Sequence, residues 1–346
     1  MQRIVQKIAF YPFSLIYSGV MSLRNWMFDR EIPHATAFSV SVISVGNITA
    51  GGTGKTPFVI ALTQLLTKNG HRVGVISRGY GRKSKMQEIV APTEKSSMNP
   101  DFSGDEPFLI AQKCPGAVVI VDADRVKAAE TAVRQFSCSV LVADDAFQHR
   151  HLHRDLDIVL WDGFDVPQRS AVIPAGRLRE KMSGIRRASM LVFTKNQNVP
   201  ESSHNFLRKI APNVPQFTAP LTIEKIYRFN NRSEVDHLNL NNKTVLAFCG
   251  IGNPEQFFQT IDSFHPKVTI QRSFGDHFRY QSRTIAALLD QFHRERCDYL
   301  ITTEKDAVNL TSVSPKIPNL LILEIGLDIN EVASEILSRI PTPKNK

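Results

Sequence analysis

Cysteine is scarce and scattered: Cys114, Cys138, Cys249 and Cys297 form no C-x-x-C pair. That argues against a zinc module and a disulfide scaffold, and it suits a reducing compartment. Long apolar runs are missing too. No stretch reaches the roughly 18 apolar residues of a membrane-spanning helix. The nearest, Ile8 to Leu23, is uncharged but short and carries Pro12. Arg3 and Lys7 before it resemble a signal-peptide start, yet no A-x-A-like cleavage site follows. There is no internal repeat. Acidic residues are outnumbered: 33 Asp plus Glu face 42 Lys plus Arg, a net charge of +9 over 346 residues. Such an excess suits an anionic partner, whether nucleotide, phosphorylated substrate, nucleic acid or acidic membrane face. An aromatic-and-basic motif of the usual RNA-binding type is lacking, so nucleic acid is not expected among the partners. Nor is an obligate protein partner evident.

What is present is a rhythm of β-branched runs. Val40–Val45, Val73–Ser77, Val118–Val121, Val140–Ala143, Ile158–Trp161 and Met190–Phe193 form a first series. Val245–Cys249, Val268–Gln271, Tyr299–Thr302 and Leu320–Leu323 form a second. Helical patterns lie between them, which reads as βαβ units and a mostly parallel sheet. The expected class is α/β: a P-loop NTPase-type sheet flanked by helices, with a second, smaller α/β domain. The polar stretch Thr218–Asn242 marks the cut. The expected division is 1–30, an amphipathic helical segment; 31–220, the phosphate-loop domain; 221–242, a linker; and 243–346, the smaller domain. Within the first segment, Phe13, Ile16, Tyr17, Val20, Met27 and Phe28 follow helical spacing, opposite a polar stripe of Ser14, Ser18, Ser22 and Asn25. Arg3, Lys7, Arg24 and Arg30 flank it. This helix either lies in a membrane interface or packs on the protein's own core.

The phosphate loop is the strongest signal. Val40–Val45 reads as a strand, Gly46–Gly54 as a turn, and Pro57 to Leu62 opens an apolar helix. Between them stand Thr49, Ala50, Gly51, Gly52, Thr53, Gly54, Lys55 and Thr56. Glycines let backbone N–H groups approach phosphates, and a helix N-terminus favours negative charge. Lys55 is expected on the β- and γ-phosphates and the Thr56 hydroxyl on Mg²⁺. Thr49 stands where G-x-x-x-x-G-K-[ST] has its first glycine. The Mg²⁺ shell also needs a carboxylate at a neighbouring strand end, which Val140–Ala143 supplies by ending in Asp144 and Asp145.

Other motifs lie around this one. Gly104-Asp105-Glu106-Pro107 reads by itself as a helix start, with Asp105 as cap. Asp276 and His277 share a loop in the second domain, where the imidazole is suited to act as a base or a base partner. Ser77 to Arg82 follows a strand on the phosphate-loop rim, where α/β proteins bind ligands. His149, His151 and His153 alternate, but the arginines between them repel a cation and argue against zinc. Thr194-Lys195-Asn196 lacks the acid two residues after Lys195 that guanine recognition uses. ATP is therefore the expected nucleotide.

In their order these pieces resemble the tetraacyldisaccharide 4′-kinase (lipid A 4′-kinase) family. The resemblance runs from Val45-Gly46-Asn47-Ile48 through the loop to Pro57, then Ser77 to Gly81 and Gly104 to Pro107. It continues with Asp144 to His149, Pro174-Ala175-Gly176 and Leu178-Arg179-Glu180, and then Phe248 to Pro254, Asp276-His277 and Thr302 to Val308. Thr49 is at home there, because that family's loop also lacks the glycine. Ala146 stands where the family usually has Gly, and Arg177 and Lys181 where prolines are common.

The resemblance implies transfer of the ATP γ-phosphate to the 4′-hydroxyl of an acylated glucosamine disaccharide 1-phosphate. The implied location is peripheral, at the cytosolic face of the inner membrane. It makes Asp105 the base, with His277 its partner from the second domain. Lys55, Thr56, Asp144 and Asp145 hold ATP–Mg²⁺, with Glu106 nearby, and Tyr80, Arg125 and Arg179 are substrate candidates. A lipid substrate favours membrane docking of Phe13–Phe28. The rival reading is a membrane-associated P-loop ATPase switch, whose loop often carries Lys where this chain has Ala50. A switch also has no need of Asp105 or His277.

Overall fold

The computed structural model describes residues 2–90, 100–165, 170–276, 278–310 and 317–342. All ten β-branched runs are strands in it, and they join one thirteen-stranded sheet. The N-terminal half supplies β1 (Ser41–Gly46), β2 (Val73–Ser77), β3 (Glu88–Val90), β4 (Val118–Val121), β5 (Val140–Asp144), β6 (Leu156–Asp162), β7 (Met190–Lys195) and β8 (Gln216–Arg228). After it come β9 (Glu234–Val235), β10 (Thr244–Cys249), β11 (Val268–Ser273), β12 (Tyr299–Thr303) and β13 (Leu320–Leu327). The path is β11-β10-β12-β13-β8-β7-β6-β1-β5-β2-β4-β3, with β9 on β8. Pairing is parallel except for β3 with β4 and β8 with β13 and β9.

Ten helices are described: α1 (Gln2–Asp29), α2 (Lys55–Lys68), α3 (Pro100–Ser103), α4 (Asp105–Lys113), α5 (Arg125–Phe136), α6 (Glu201–Ile210), α7 (Pro254–Asp262), α8 (Ser282–Arg294), α9 (Glu304–Leu310) and α10 (Asn330–Ser338). Strand β1 runs between β5 and β6, so its loop opens at the middle of the parallel sheet. Phe58, Leu62 and Leu66 of α2 are fully buried against Ile43, Val45 and Val142. Each such side chain contributes about 1.5–3 kcal/mol of burial. Val332 and Ile336 of α10 join this same core, so the chain after β13 returns to the phosphate-loop helix.

The stretch expected as a linker, 221–242, begins inside a strand. Strand β8 pairs in parallel with β7 as far as Pro220 and antiparallel with β13 from Leu221 onward. Pro220 has no N–H to give, and its carbonyl accepts from the Asp328 amide at 2.9 Å. The proline thus stands where the strand changes partners. One half-exposed face and an internal proline explain why the residues do not read as a strand.

Helix α1 is amphipathic, as its spacing indicates, but its polar stripe faces the protein. Ser14 is buried and its Oγ accepts from the Ala175 amide at 2.8 Å, while Asn25 donates to Glu180 at 2.9 Å. Tyr17 and Phe28 turn inward with them. Phe13, Ile16, Val20, Leu23 and Trp26 stand out from the surface, Ile16 at 67% exposure.

Gly46 tests the close contact under the phosphate loop, because a Cβ there would lie 2.6 Å from Phe147 Cβ and 2.8 Å from its nitrogen. Gly46→Ala is expected to cost about 1–3 kcal/mol, read as a lower urea midpoint with an unchanged slope. Gly52→Ala, whose Cβ meets nothing within 4 Å, should shift stability by less than about 0.5 kcal/mol.

Candidate active site

The loop after β1 is built for anions. Gly51 and Gly54 have φ of 127° and 74°, in the region glycine favours. Gly54 caps α2 without any side-chain hydrogen bond, and no acidic residue occupies the first turn. The first N–H groups and positive end of α2 therefore face the loop's concavity. Asn47 braces the loop from within, donating to Thr49 O at 2.8 Å and to Thr53 Oγ1 at 2.9 Å. Thr49 is buried in place of the expected glycine, and Ala50 N donates to Arg177 O at 2.6 Å. From β7, Thr194 Oγ1 donates to Thr53 O at 2.9 Å, and Lys195 donates to Gly52 O and to Asp162. These two residues, which follow a strand without an obvious purpose in the sequence, strap the loop to the sheet.

The β1–β5 register sets Val45 opposite Asp144 and so brings both carboxylates beside the loop. Asp144 Oδ2 accepts from Ser77 Oγ at 3.0 Å, while its buried Oδ1 has no hydrogen-bond partner among the described residues. Burial first, then the charges of Glu106 and Asp145, push this carboxyl up to about 7. Asp145, at φ 48°, accepts from Arg179 Nη1 at 2.7 Å and stands 3.8 Å from Lys55 Nζ. Burial alone would raise it as well, but Lys55 and Arg179 together hold it below its ordinary range. Lys55 Nζ also reaches Asn47 Oδ1 at 3.4 Å.

The loop lines a cavity of about 860 Å³, closed on its far side by the C-terminal half. Gly104, rather than Asp105, caps α4, so Asp105 is the first helical residue and its Oδ2 accepts from Asn309 at 3.1 Å. Glu106 lines the cavity and meets Lys305 Nζ at 3.5 Å; Lys305 also meets Asp276 at 3.3 Å. Burial opposes the charge on Lys305, but Glu106 and Asp276 outweigh it and raise the ammonium above its usual range. A Cβ on Gly252 would stand 3.4 Å from Gly52 N, so the two halves meet directly over the phosphate loop.

The structure gathers Gly51 through Thr56, Glu106, Asp144, Asp145, Arg125 and Arg179 around this space, with Tyr80 exposed at its mouth, whereas Thr49, Ala50 and Asp105 are not among the residues that line it. Arg125 is 5% exposed, and its Nε has no partner among the described residues. Burial pushes its guanidinium down, against the pull of Asp144 and Asp145. His149 is another lining residue: burial, then Arg125 and His151, push it down to about 4, and its Nε2 is unpartnered among the described residues. His277 lies outside the described residues. Lys305, Arg24 and Ser77 line the cavity as well; the sequence placed Ser77 on the phosphate-loop rim but gave none of the three a role in the site. Only the run Thr303-Glu304-Lys305 after a strand could have pointed to Lys305, since its charge resembles any surface lysine.

Strand, glycine loop, helix and a carboxylate on the adjacent strand define a phosphate-loop nucleotide-binding protein of the α/β class. Comparison with known proteins narrows this. The family tetraacyldisaccharide-1-P 4′-kinase matches residues 6–341, and the chain belongs to it. The tetraacyldisaccharide 4′-kinase of Syntrophus aciditrophicus is 36% identical over 312 residues, covering 86% of this chain and 83% of that protein. That of Aquifex aeolicus is 35% identical over 304 residues, covering 86% and 88%. The crystal structure of an "apo" form of LpxK from Aquifex aeolicus in complex with ATP superposes with a TM-score of 0.74 at 30% identity, covering 97% of this chain and all of that one.

Asp144 carries a pH signature. Its folded carboxyl is raised from 3.8 to about 7, so the stability it contributes is present at low pH and lost as pH rises through that interval. Asp144→Asn should therefore raise the thermal midpoint of the ligand-free protein more at about pH 8 than at about pH 5.5. An equal gain at both values would contradict the raised carboxyl.

Proposed function

We propose that the chain transfers the γ-phosphate of ATP to the 4′-hydroxyl of an acylated glucosamine disaccharide 1-phosphate. One observation carries the reading: Asp144 Oδ1, Arg125 Nε and His149 Nε2 are buried, line one cavity with the phosphate loop, and have no partner among the described residues. Unpaired buried polar atoms are costly, and their convergence beside Lys55 marks a space shaped for a charged ligand.

ATP phosphates sit on the N–H groups of α2 with Lys55 against the β- and γ-phosphates. Oxygen donors from Asp144, Asp145 and Thr56, with Glu106 near, would hold Mg²⁺ only with phosphate oxygens to complete the set, since among the described residues no three carboxylates are grouped to hold a metal alone. The orphaned Asp144 Oδ1 fits that use. An ion held there would supply positive charge to offset that on the phosphates. The acceptor hydroxyl forms the new O–P bond while the bond from the γ-phosphorus to the β,γ-bridging oxygen breaks and ADP leaves. Asp105 takes the hydroxyl proton, exchanging its Asn309 contact for the acceptor. His277 is its proposed partner. Arg125 and Arg179 are placed to meet charge on the transferring group, and Tyr80 to meet the acceptor at the mouth. The contact of Lys305 with Glu106 spans the cavity, and a closed arrangement of this kind would keep water from the reacting phosphate.

Among the described residues no helix is long and apolar enough to cross a membrane. The apolar outer face of α1 is proposed to lie in the interface at the cytosolic side of the inner membrane. Two results test these assignments. Asp105→Asn should lower kcat by about 10²- to 10⁴-fold while ATP affinity stays within about threefold. If Glu106→Gln alone produced that pattern, Glu106 would take the base role. Ile16→Glu with Val20→Glu should abolish sedimentation with phospholipid vesicles and leave the thermal midpoint unchanged; retained sedimentation would remove α1 from the docking role. Rapid ATP hydrolysis without lipid, unaffected by adding it, would favour the switch.

A further inference from the structure

Arg24 stands at the junction between the apolar face of α1 and the cavity, and the mechanism above leaves it without a task. It lines the cavity, and Nη2 donates to Gln148 O at 2.7 Å. Its guanidinium packs 5.3 Å from the Phe28 ring centroid, with Arg150 at the same distance from that ring. Among the described residues Arg24 makes no ion pair. Glu180, the carboxylate closest to this role, is saturated: Oε1 accepts from Gln148 at 3.0 Å and Arg187 at 3.0 Å, and Oε2 from Asn25 at 2.9 Å and Arg187 at 2.9 Å. Arg150 is paired with Asp29 at 2.8 Å. Three arginines thus share two acids, and the surplus charge rests on Arg24. Burial works against that charge, with Glu180 opposing and Arg150 and Arg187 adding to the push downward. A half-buried cation with spare donors facing a cavity is an anion site.

Which anion it takes follows from position. ATP is held at the far end of a short relay, because Gln148 Nε2 donates to Asn47 O at 3.0 Å and Asn47 contacts Lys55 at 3.4 Å. The acceptor must place its reacting hydroxyl by Lys55 while its acyl chains leave toward the apolar face of α1. Its own phosphate ester is then the group left to meet Arg24, in the cavity that Gln148 and His149 also line. We propose that Arg24 recognises the phosphomonoester at the non-reacting end of the acceptor and so couples seating of α1 to substrate selection. This rests on the proposed function.

The test uses full-length protein in neutral detergent micelles, with the acylated disaccharide carrying or lacking the 1-phosphate. Arg24→Ala should raise KM for the phosphorylated acceptor about tenfold or more. KM for ATP, kcat, and KM for the unphosphorylated acceptor should stay within about threefold of wild type, and Arg24→Lys should fall between the two, because it keeps the charge but loses the fork. Equal losses on both acceptors would overturn the assignment in favour of a structural role. A loss seen only when anionic phospholipid replaces neutral detergent would overturn it in favour of a membrane headgroup. Wild-type protein that phosphorylates neither acceptor would sink the proposed function and this inference together, whereas normal turnover by Arg24→Ala would sink this inference alone.

Discussion

A carboxylate is held in the dry interior at the end of β5, within reach of a lysine that it does not fully neutralise, and much of the site is arranged around that conflict. Asp144 is buried, with Ser77 on one oxygen and no described partner on the other. Such a group costs several kcal/mol unless compensated; Lys55 and the Ser77 hydrogen bond offset part of this, while Glu106 and Asp145 add to it. The β1–β5 register, the bare N-terminus of α2 and the close fit of Gly46 against Phe147 all serve to hold these groups together. Under the function proposed above, a polyphosphate with its cation would relieve this store of unfavourable electrostatics.

Helix α4 transmits that arrangement to the C-terminal half, which grips it at both ends. At its start, Asp105 meets Asn309 and Glu106 meets Lys305; at its end, Lys113 pairs with Glu304 at 2.8 Å and with Glu324. Burial pushes Glu304 up to about 7, Lys113 opposing and Glu324 adding to the rise. Arg279 adds a further bond to Asp101 at 2.7 Å, from beyond the cavity. A helix fixed this way carries its acidic first turn to the cavity wall as one piece. Because β8 belongs to the pairing of both halves, that grip is continuous with the sheet.

Much of this was legible in the sequence, and the misses have physical causes. Most of the ten strands showed because strands covered on both faces must be apolar throughout, although β11, at the edge of the sheet, is largely exposed. The phosphate loop showed despite Thr49, because glycines, Lys55 and the strand–helix setting are local requirements. Strand β8 did not show, since its pairing on two sides leaves one face half wet and places Pro220 in the middle. The orientation of α1 was not legible either. Periodicity reveals that a helix has two faces but not which one meets protein, and here Ser14 and Asn25 are drawn inward by Ala175 and Glu180. Lys305 and Arg24 owe their significance to partners far away in the chain, which no local pattern records. His277 lies outside the described residues.

The most direct measurement follows the label from γ-³²P-ATP in the presence of an acylated glucosamine disaccharide 1-phosphate. The account predicts stoichiometric appearance of label as a phosphomonoester on the 4′-oxygen, located by NMR or tandem mass spectrometry of the product. Release of all label as inorganic phosphate, or its attachment at another position, would contradict it.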